Sequence, residues 1–383
     1  MEEGSTKLEA ELLELFRWLH RHPELGGGEA ETTKRIRGIL TREGVEILDA
    51  PLRTGLIARV TGAKPGRVIG LRCDIDALPI QEESGLPYAS ETPGCMHACG
   101  HDFHAAAMLG AAILLNRRRK ELAGTVKIVF QPSEENANGA KDVVASGLLN
   151  DAEEFYGIHS YPWFEAGTLG IKEGPVMAAP DRFAITIHGK GTHAAEPDKG
   201  RDPIPAAATI ALAAQSIVSR GVDPFAPAVV SIAHIEAGNT WNVVPETAFL
   251  EGTVRTLNQD VREHICAEMA RIAKSAAETY GCTAEFNWHY GPAAVINDGR
   301  LCGIVREMAL DAGFKVDRQE DTMGGEDFSE YLGICPGVFI RVGTGGSYPS
   351  HHPKFTVDPA ALWPAANFFA RLAMERAQAA PLA

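Results

Sequence analysis

Residues 68–79 read VIGLRCDIDALP. The run Val68–Cys73 has the length and mainly apolar character of a strand buried on both faces. It stops on two carboxylates, Asp74 and Asp76. In open α/β sheets, ligands bind beyond the carboxyl ends of the strands, so the ends of the other strand-like runs carry the next question. VKIVF (126–130) leads into QPSEE, delivering Glu134 and Glu135, and FYGI (155–158) leads into His159. Three separate strands therefore end in groups that bind metals or move protons, a coincidence that chance does not readily supply.

Further segments extend the set. HACGHDFHAAA (97–107) puts Cys99 and His101 in a glycine turn at the mouth of a helix predicted from about residue 102, with Asp102 as its N-cap or first-turn acid. SYPSHHPKF (347–355) follows the strand VFIRV and adds His351 and His352. The pool of Cys, His, Glu, His and His plus spare carboxylates is too large for one closed structural zinc, and zinc-finger thiolate spacing is absent. It suits two divalent metals sharing bridging ligands. His97 and His104 could act from behind the ligands or on substrate, or simply pack or cap. His20 and His22, beside Pro23 at a helix end, read as structural.

Working outward, the chain alternates helix and strand. Helices are expected at 5–21, 29–43, 102–119 and about 138–146, and strands at 56–60, 68–73, 126–130 and 155–158. This is α/β patterning, with a mixed, mostly parallel sheet covered on both faces. Near residue 180 the texture changes. Phe183, Ile185 and Ile187 alternate, a helix at 203–219 follows, then strands at 228–235 and 247–255, a helix at about 260–279 and a strand near 283–289. That order predicts a small α+β, ferredoxin-like unit. Gly291-Pro292 ends it, and helix 299–312, strand 338–342 and helix 359–378 return to α/β. The domains expected are a discontinuous catalytic one (1–180 and 291–383) and an insertion (181–290).

Composition narrows the classes. The 383 residues are 45% hydrophobic and 22% charged, with a net charge of −14. That acidity excludes a nucleic-acid surface, which needs clustered Lys and Arg. The one basic cluster, Arg117–Lys120, closes a helix, where cations suit the dipole. No apolar run approaches the roughly 20 residues of a membrane span, and no secretory signal is visible. Seven scattered cysteines predict reduced thiols in a cytoplasmic protein.

DIDALPI, HACGHDFHAAAMLGAA, FQPSEENANGA, GIHSYP, GKGTHAAEP, GTVRT and GGEDF occur in order. Together they closely resemble the aminoacylase, hippurate hydrolase and auxin-conjugate hydrolase family of dinuclear metallopeptidases and amidohydrolases. The resemblance runs from about Leu15 to Phe355. It implies a catalytic α/β domain with an inserted lid or dimerisation domain, and hydrolysis of the amide bond of N-acyl amino acids. It implies metal ligation by Cys99, His101, Glu135, His159 and His351, the register favouring His351 over the adjacent His352. Glu134 matches the family's general base. More distant relatives carry a metal-binding histidine at the position of Asp74, so here His101 is expected to supply that ligand. His193 matches a histidine that donates a hydrogen bond to the developing oxyanion, often in the partner subunit's site. Asn242, in NTWNVVPE, and Arg255 match substrate-binding positions. A homodimer through the insertion is therefore expected.

The chemistry is coherent. Divalent metals acidify water and polarise a carbonyl. Glu134 would take a proton from the metal-activated water and return it to the leaving amine, with Asp76 orienting a ligand from behind. Thiolate favours zinc, while the N and O donors leave manganese, cobalt and nickel open. A serine hydrolase is disfavoured because no G-x-S-x-G elbow occurs. Cys99 as nucleophile is disfavoured because His101 is too close along a tight turn to serve as base. A catalytically silent metal-binding sensor is the non-enzymatic alternative, and dipeptidase or carboxypeptidase-like activity the enzymatic one. Residue patterns leave the acyl group, the amino acid and the metal open.

Overall fold

The computed structural model of the protein describes residues 2–380. The chain divides into two compact units: 1–174 with 296–320 and 327–383, and 175–295 with 321–326. The expected insertion, 181–290, lies inside the second.

The first unit is built on an eight-stranded sheet. Its spatial order is Glu46–Ile47, Leu56–Thr61, Ala123–Gln131, Lys64–Asp74, Glu154–Tyr161, Gly337–Gly343, Thr168–Gly170 and Lys315–Asp317. The central pairs are parallel. Antiparallel pairs join Leu56–Thr61 to both its neighbours and Thr168–Gly170 to Gly337–Gly343. The sheet is mixed because the short connection between Thr61 and Lys64 leaves no room for a crossover helix. The strands at 46–47, 168–170 and 315–317, at or next to the sheet edges, are too short to show a period in sequence, and none was expected.

One face of the sheet is covered by the helices His101–Arg117 and Leu362–Gln378, with Glu2–Arg21 packed against both. Helix His101–Arg117 is buried on nearly every side, which explains its alanine-rich, weakly patterned sequence. Its neighbours approach so closely that a Cβ at Gly110 would lie 2.6 Å from Leu12 Cδ1 and 2.8 Å from Ala366 Cβ. The other face carries Phe328 and Tyr331, whose rings pack on Phe339 and Phe155.

The second unit holds a four-stranded antiparallel sheet in the order Ala228–Ala237, Thr247–Thr256, Ala179–His188, Thr283–His289. Numbered along the chain that order is 2-3-1-4, the βαββαβ arrangement of ferredoxin-like units. Its two long helices are capped as their sequences require. Asp202 accepts from Ile204 N–H ahead of Pro203–Ser216, and Asn258 accepts from Asp260 and Val261 N–H ahead of Gln259–Thr279. The first of these ends in a π turn, Ile217–Gly221, rather than running as α-helix to 219. Phe183, Ile185 and Ile187 point into a core with Ile210, Leu250, Ile265 and Met269. No described helix is long and apolar enough to cross a membrane.

Candidate metal centre

At the carboxyl ends of the central strands, the donor atoms of Cys99, His101 and His159 lie within 4.8 Å of one another, and so do those of Cys99, Glu135 and His351. Cys99 belongs to both groups. A third group joins His101 to Glu134 and Glu135. The structure thus gathers the five expected ligands and Glu134 at one place.

Each donor is aimed by its backbone. Gly100, at φ 84°, lets the turn pass so near the strand Glu154–Tyr161 that a Cβ there would meet Ser160 Oγ at 2.7 Å. Ser160 Oγ donates to the Cys99 carbonyl (2.8 Å), and His159 Nδ1 donates to the Ser160 carbonyl (2.7 Å). That bond fixes the His159 tautomer and leaves Nε2, 3.5 Å from Cys99 Sγ, as the nitrogen with a free lone pair. His159 lies within its strand rather than after it. His101 is the first residue of its helix and is fully buried. Its Nδ1 stands 3.3 Å from Asp76 Oδ1, and its Nε2 is 3.9 Å from Glu135 Oε1.

His351 Nε2 is 3.3 Å from Glu135 Oε1. Its backbone is left-handed, φ 67°, an uncommon state for a non-glycine residue that fits a functional position. The adjacent His352 stacks on Tyr348 at 4.4 Å and accepts from Lys354 N–H through Nδ1, so its ring is engaged away from the donor groups.

The site also contains buried polar atoms with no hydrogen-bond partner: both ring nitrogens of His101 and Glu135 Oε1. Orphaned polar atoms of this kind are costly in a folded protein. Beside a thiol and two further imidazoles, they fit divalent cations.

Behind the donors lies a support that sequence reading resolved only in part. Asp76 accepts the backbone N–H groups of both Glu134 (3.1 Å) and Glu135 (3.0 Å). Asp74 is bound to Arg72 Nη1 (2.7 Å) and His104 Nδ1 (2.5 Å), while His104 Nε2 accepts from Ser160 N–H (2.6 Å). With both nitrogens used, His104 braces the His159 strand rather than binding a metal. Burial opposes charge on Asp74, but His101, His104 and Arg72 hold its carboxyl well below the usual range. Burial likewise opposes charge on His101, yet Asp74, Asp76 and Cys99 raise it well above the ordinary imidazole value. Burial, aided by His104, keeps His159 neutral, as a ligand must be. His97 is buried with both nitrogens unpartnered, and burial lowers its pKa to about 4; it joins none of the donor groups.

Asp102 sits in the first helical turn and takes His20 Nδ1 at 2.7 Å, while His20 Nε2 reaches Glu82 at 3.1 Å. In the second unit, His193 and Asn242 meet on neighbouring segments: His193 pairs with Val243, and Ala194 N–H donates to the Asn242 carbonyl (3.1 Å). His193 Nδ1 accepts from Ala195 N–H (3.1 Å), which leaves Nε2–H as a donor. Arg255 stands on the main sheet of that unit, its Nε donating to Thr253 Oγ1 (3.0 Å).

A mixed α/β sheet with cysteine, histidine and glutamate side chains gathered at its carboxyl edge is the arrangement of a metal-dependent hydrolase. The sequence matches the model of peptidase family M20/M25/M40 over residues 70–375, and the chain belongs to that family. It is 48% identical over 364 residues to the N-acetylcysteine deacetylase of Bacillus subtilis, covering 95% of this chain and 96% of that one. It is 42% identical over 282 residues to the N-acyl-L-amino acid amidohydrolase of Geobacillus stearothermophilus, covering 73% and 76%. A solved Bacillus subtilis structure described as a dinuclear metal-binding peptidase of the M20 family superposes with a TM-score of 0.88 at 45% identity, covering 97% of this chain and 99% of that one.

Proposed function

We propose that this chain hydrolyses the amide bond of N-acyl amino acids at a two-metal centre held by Cys99, His101, Glu135, His159 and His351. The observation that carries the reading is the pair of three-donor groups sharing Cys99 Sγ, with Glu134 alongside. The deacetylase and amidohydrolase relatives support the substrate class. When bound, divalent metals supply Lewis acidity, which acidifies water and polarises a carbonyl. Zinc, manganese, cobalt and nickel all suit this mixture of S, N and O donors.

The chain's own residues do the rest. Glu134 takes the proton of the attacking water on a carboxylate oxygen and returns it to the leaving amine nitrogen. Asp76 grips the Glu134 and Glu135 amides and faces His101, so base and ligands keep one geometry. His193 donates through Nε2–H to the oxyanion that develops on the scissile carbonyl. Arg255 and Asn242 bind the free carboxylate and amide of the substrate, a task suited to a guanidinium fork.

The second unit acts as lid and dimerisation domain. Its strand Ala228–Ala237 is an open sheet edge, with Ile235 exposed on it and Leu212 78% exposed on the nearby helix Pro203–Ser216. Such an apolar edge calls for a partner, and a second copy of the chain is the simplest one. The seven free thiols fit a reducing, cytoplasmic setting.

A panel of N-acyl amino acids assayed with and without chelator tests the reaction: turnover should stop when metal is removed and return when a divalent metal is restored. Glu134→Gln should abolish turnover while metal content stays near native, and Glu135→Gln should lower metal content. Equal loss of metal in both variants would refute this division of labour.

A further inference from the structure

We infer that Glu29 is a positioning residue for the Glu134 turn, an inference that rests on Glu134 being the proton carrier. Glu29 is fully buried, and its carboxylate spans two separate segments. Oε1 accepts Ser133 N–H at 2.8 Å, across 104 residues of chain, and Oε2 accepts Thr54 Oγ1–H at 2.7 Å. It stands at the start of the helix Ala30–Arg42, where an acid would ordinarily cap the helix. It does not do so: it makes no side-chain cap bond, and the Glu31 and Thr32 amides are taken by Glu24 instead, at 3.1 and 2.8 Å. Its carboxylate is committed to the 133 turn.

That turn has reason to need holding. Ser133, at φ 54°, and Ala137, also at φ 54°, are both left-handed non-glycine residues, and Glu134 and Glu135 lie between them. Three successive backbone amides, of Ser133, Glu134 and Glu135, point at two buried carboxylates, Glu29 and Asp76. Asp76 fixes the two glutamates; Glu29 fixes the left-handed residue ahead of them. If Ser133 relaxed to an ordinary φ, the peptide leading into Glu134 would rotate and carry its carboxylate away from the water it deprotonates.

The test compares Glu29→Ala with Glu29→Gln. The alanine variant should lose about 10- to 100-fold in kcat on an N-acetyl amino acid, the scale of a displaced catalytic group. Its KM and metal content should stay within about twofold of native, and amide hydrogen exchange at 133–135 should accelerate. Glutamine can still accept from Ser133 N–H through Oε1 and donate to Thr54 Oγ1, so Glu29→Gln should recover to within about threefold of the native rate. Should the alanine variant fail to fold, Thr54→Val releases one arm of the clamp and should still lower kcat without lowering metal content. Native kcat in Glu29→Ala, or in Thr54→Val where that replaces it, would overturn the inference. So would metal loss parallel to the loss of kcat, or glutamine as damaging as alanine. Glu134→Gln, assayed beside them, separates the two readings: if it remains active, Glu134 is not the base, whereas an inactive Glu134→Gln beside a fully active Glu29→Ala removes only the role of Glu29.

Discussion

Cys99 is where residue chemistry is most exposed to test. Its sulfur is the one donor common to the two cysteine-containing groups, so in the proposed centre it would serve both cations. Serine is nearly isosteric but is a poor bridging ligand at neutral pH. Cys99→Ser should weaken metal binding by more than the roughly 10–100-fold that loss of an orienting neighbour costs, with turnover falling in parallel. Metal titration of the purified variant reads this directly, and two tightly held metals with native turnover would exclude a bridging thiolate. Other single-residue roles were less legible. DIDALPI marked Asp74 and Asp76 as candidates, but not that Asp76 would hold two backbone amides or that Asp74 would brace His104. Glu29 carried no signal beyond an acid after three glycines at a helix start, which matches an ordinary cap.

At the scale of elements, the turn that carries Cys99 and His101 is pinned by helix Glu2–Arg21 through one buried imidazole. His20 lies between Asp102, on helix His101–Arg117, and Glu82, on the loop before it, and Tyr88 stacks edgewise at 5.5 Å. Burial opposes its charge, but the two carboxylates outweigh burial and raise its pKa to about 9. A histidine raised in the folded state stabilises fully below its unfolded pKa, near 6.5, and loses that stabilisation as pH rises through about 9. The native protein should therefore exceed His20→Asn in stability by on the order of 3 kcal/mol near pH 6, with the gap closing by about pH 9.5. Denaturant unfolding of both proteins across that range measures it. A gap that stays constant or widens with pH would mean that the imidazolium is not what joins these elements. The same clamp gives His20 the structural role its place at a helix end suggested, with partners that no local pattern identified.

For the whole molecule, the prediction is that two chains share a site. His193, in GKGTHAAEP, lies exposed on the two-residue strand Thr192–His193 of the second unit, not on the turn its glycines suggest, with Nε2–H available to donate. His193→Ala should leave metal content and folding intact and lower kcat by about 10²–10³, the usual cost of one oxyanion donor. Mixing His193→Ala with Glu134→Gln subunits then asks about geometry. If the histidine serves its partner's site, mixed dimers regain one working site of the two. No recovery after proven subunit exchange would place the histidine in its own chain's site.

Which chemistry this protein carries was legible in sequence because metal donors and strand ends are local features. Cys99 and His101 share one turn at a helix start, and Glu134 and Glu135 share another just past a strand. Domain texture was legible for a similar reason, since apolar periods of 2 and 3.6 are written into consecutive residues. Tertiary structure alone decided the rest. It put Leu56–Thr61 antiparallel beside Ala123–Gln131, and it turned His351 toward Glu135 while His352 stacked on Tyr348. It also sent Glu29 to a turn 104 residues away rather than to its own helix. The physical reason is that strand order, ring direction and the partner of a buried carboxylate depend on which segments pack together. Those contacts are set by the whole core and not by neighbouring residues.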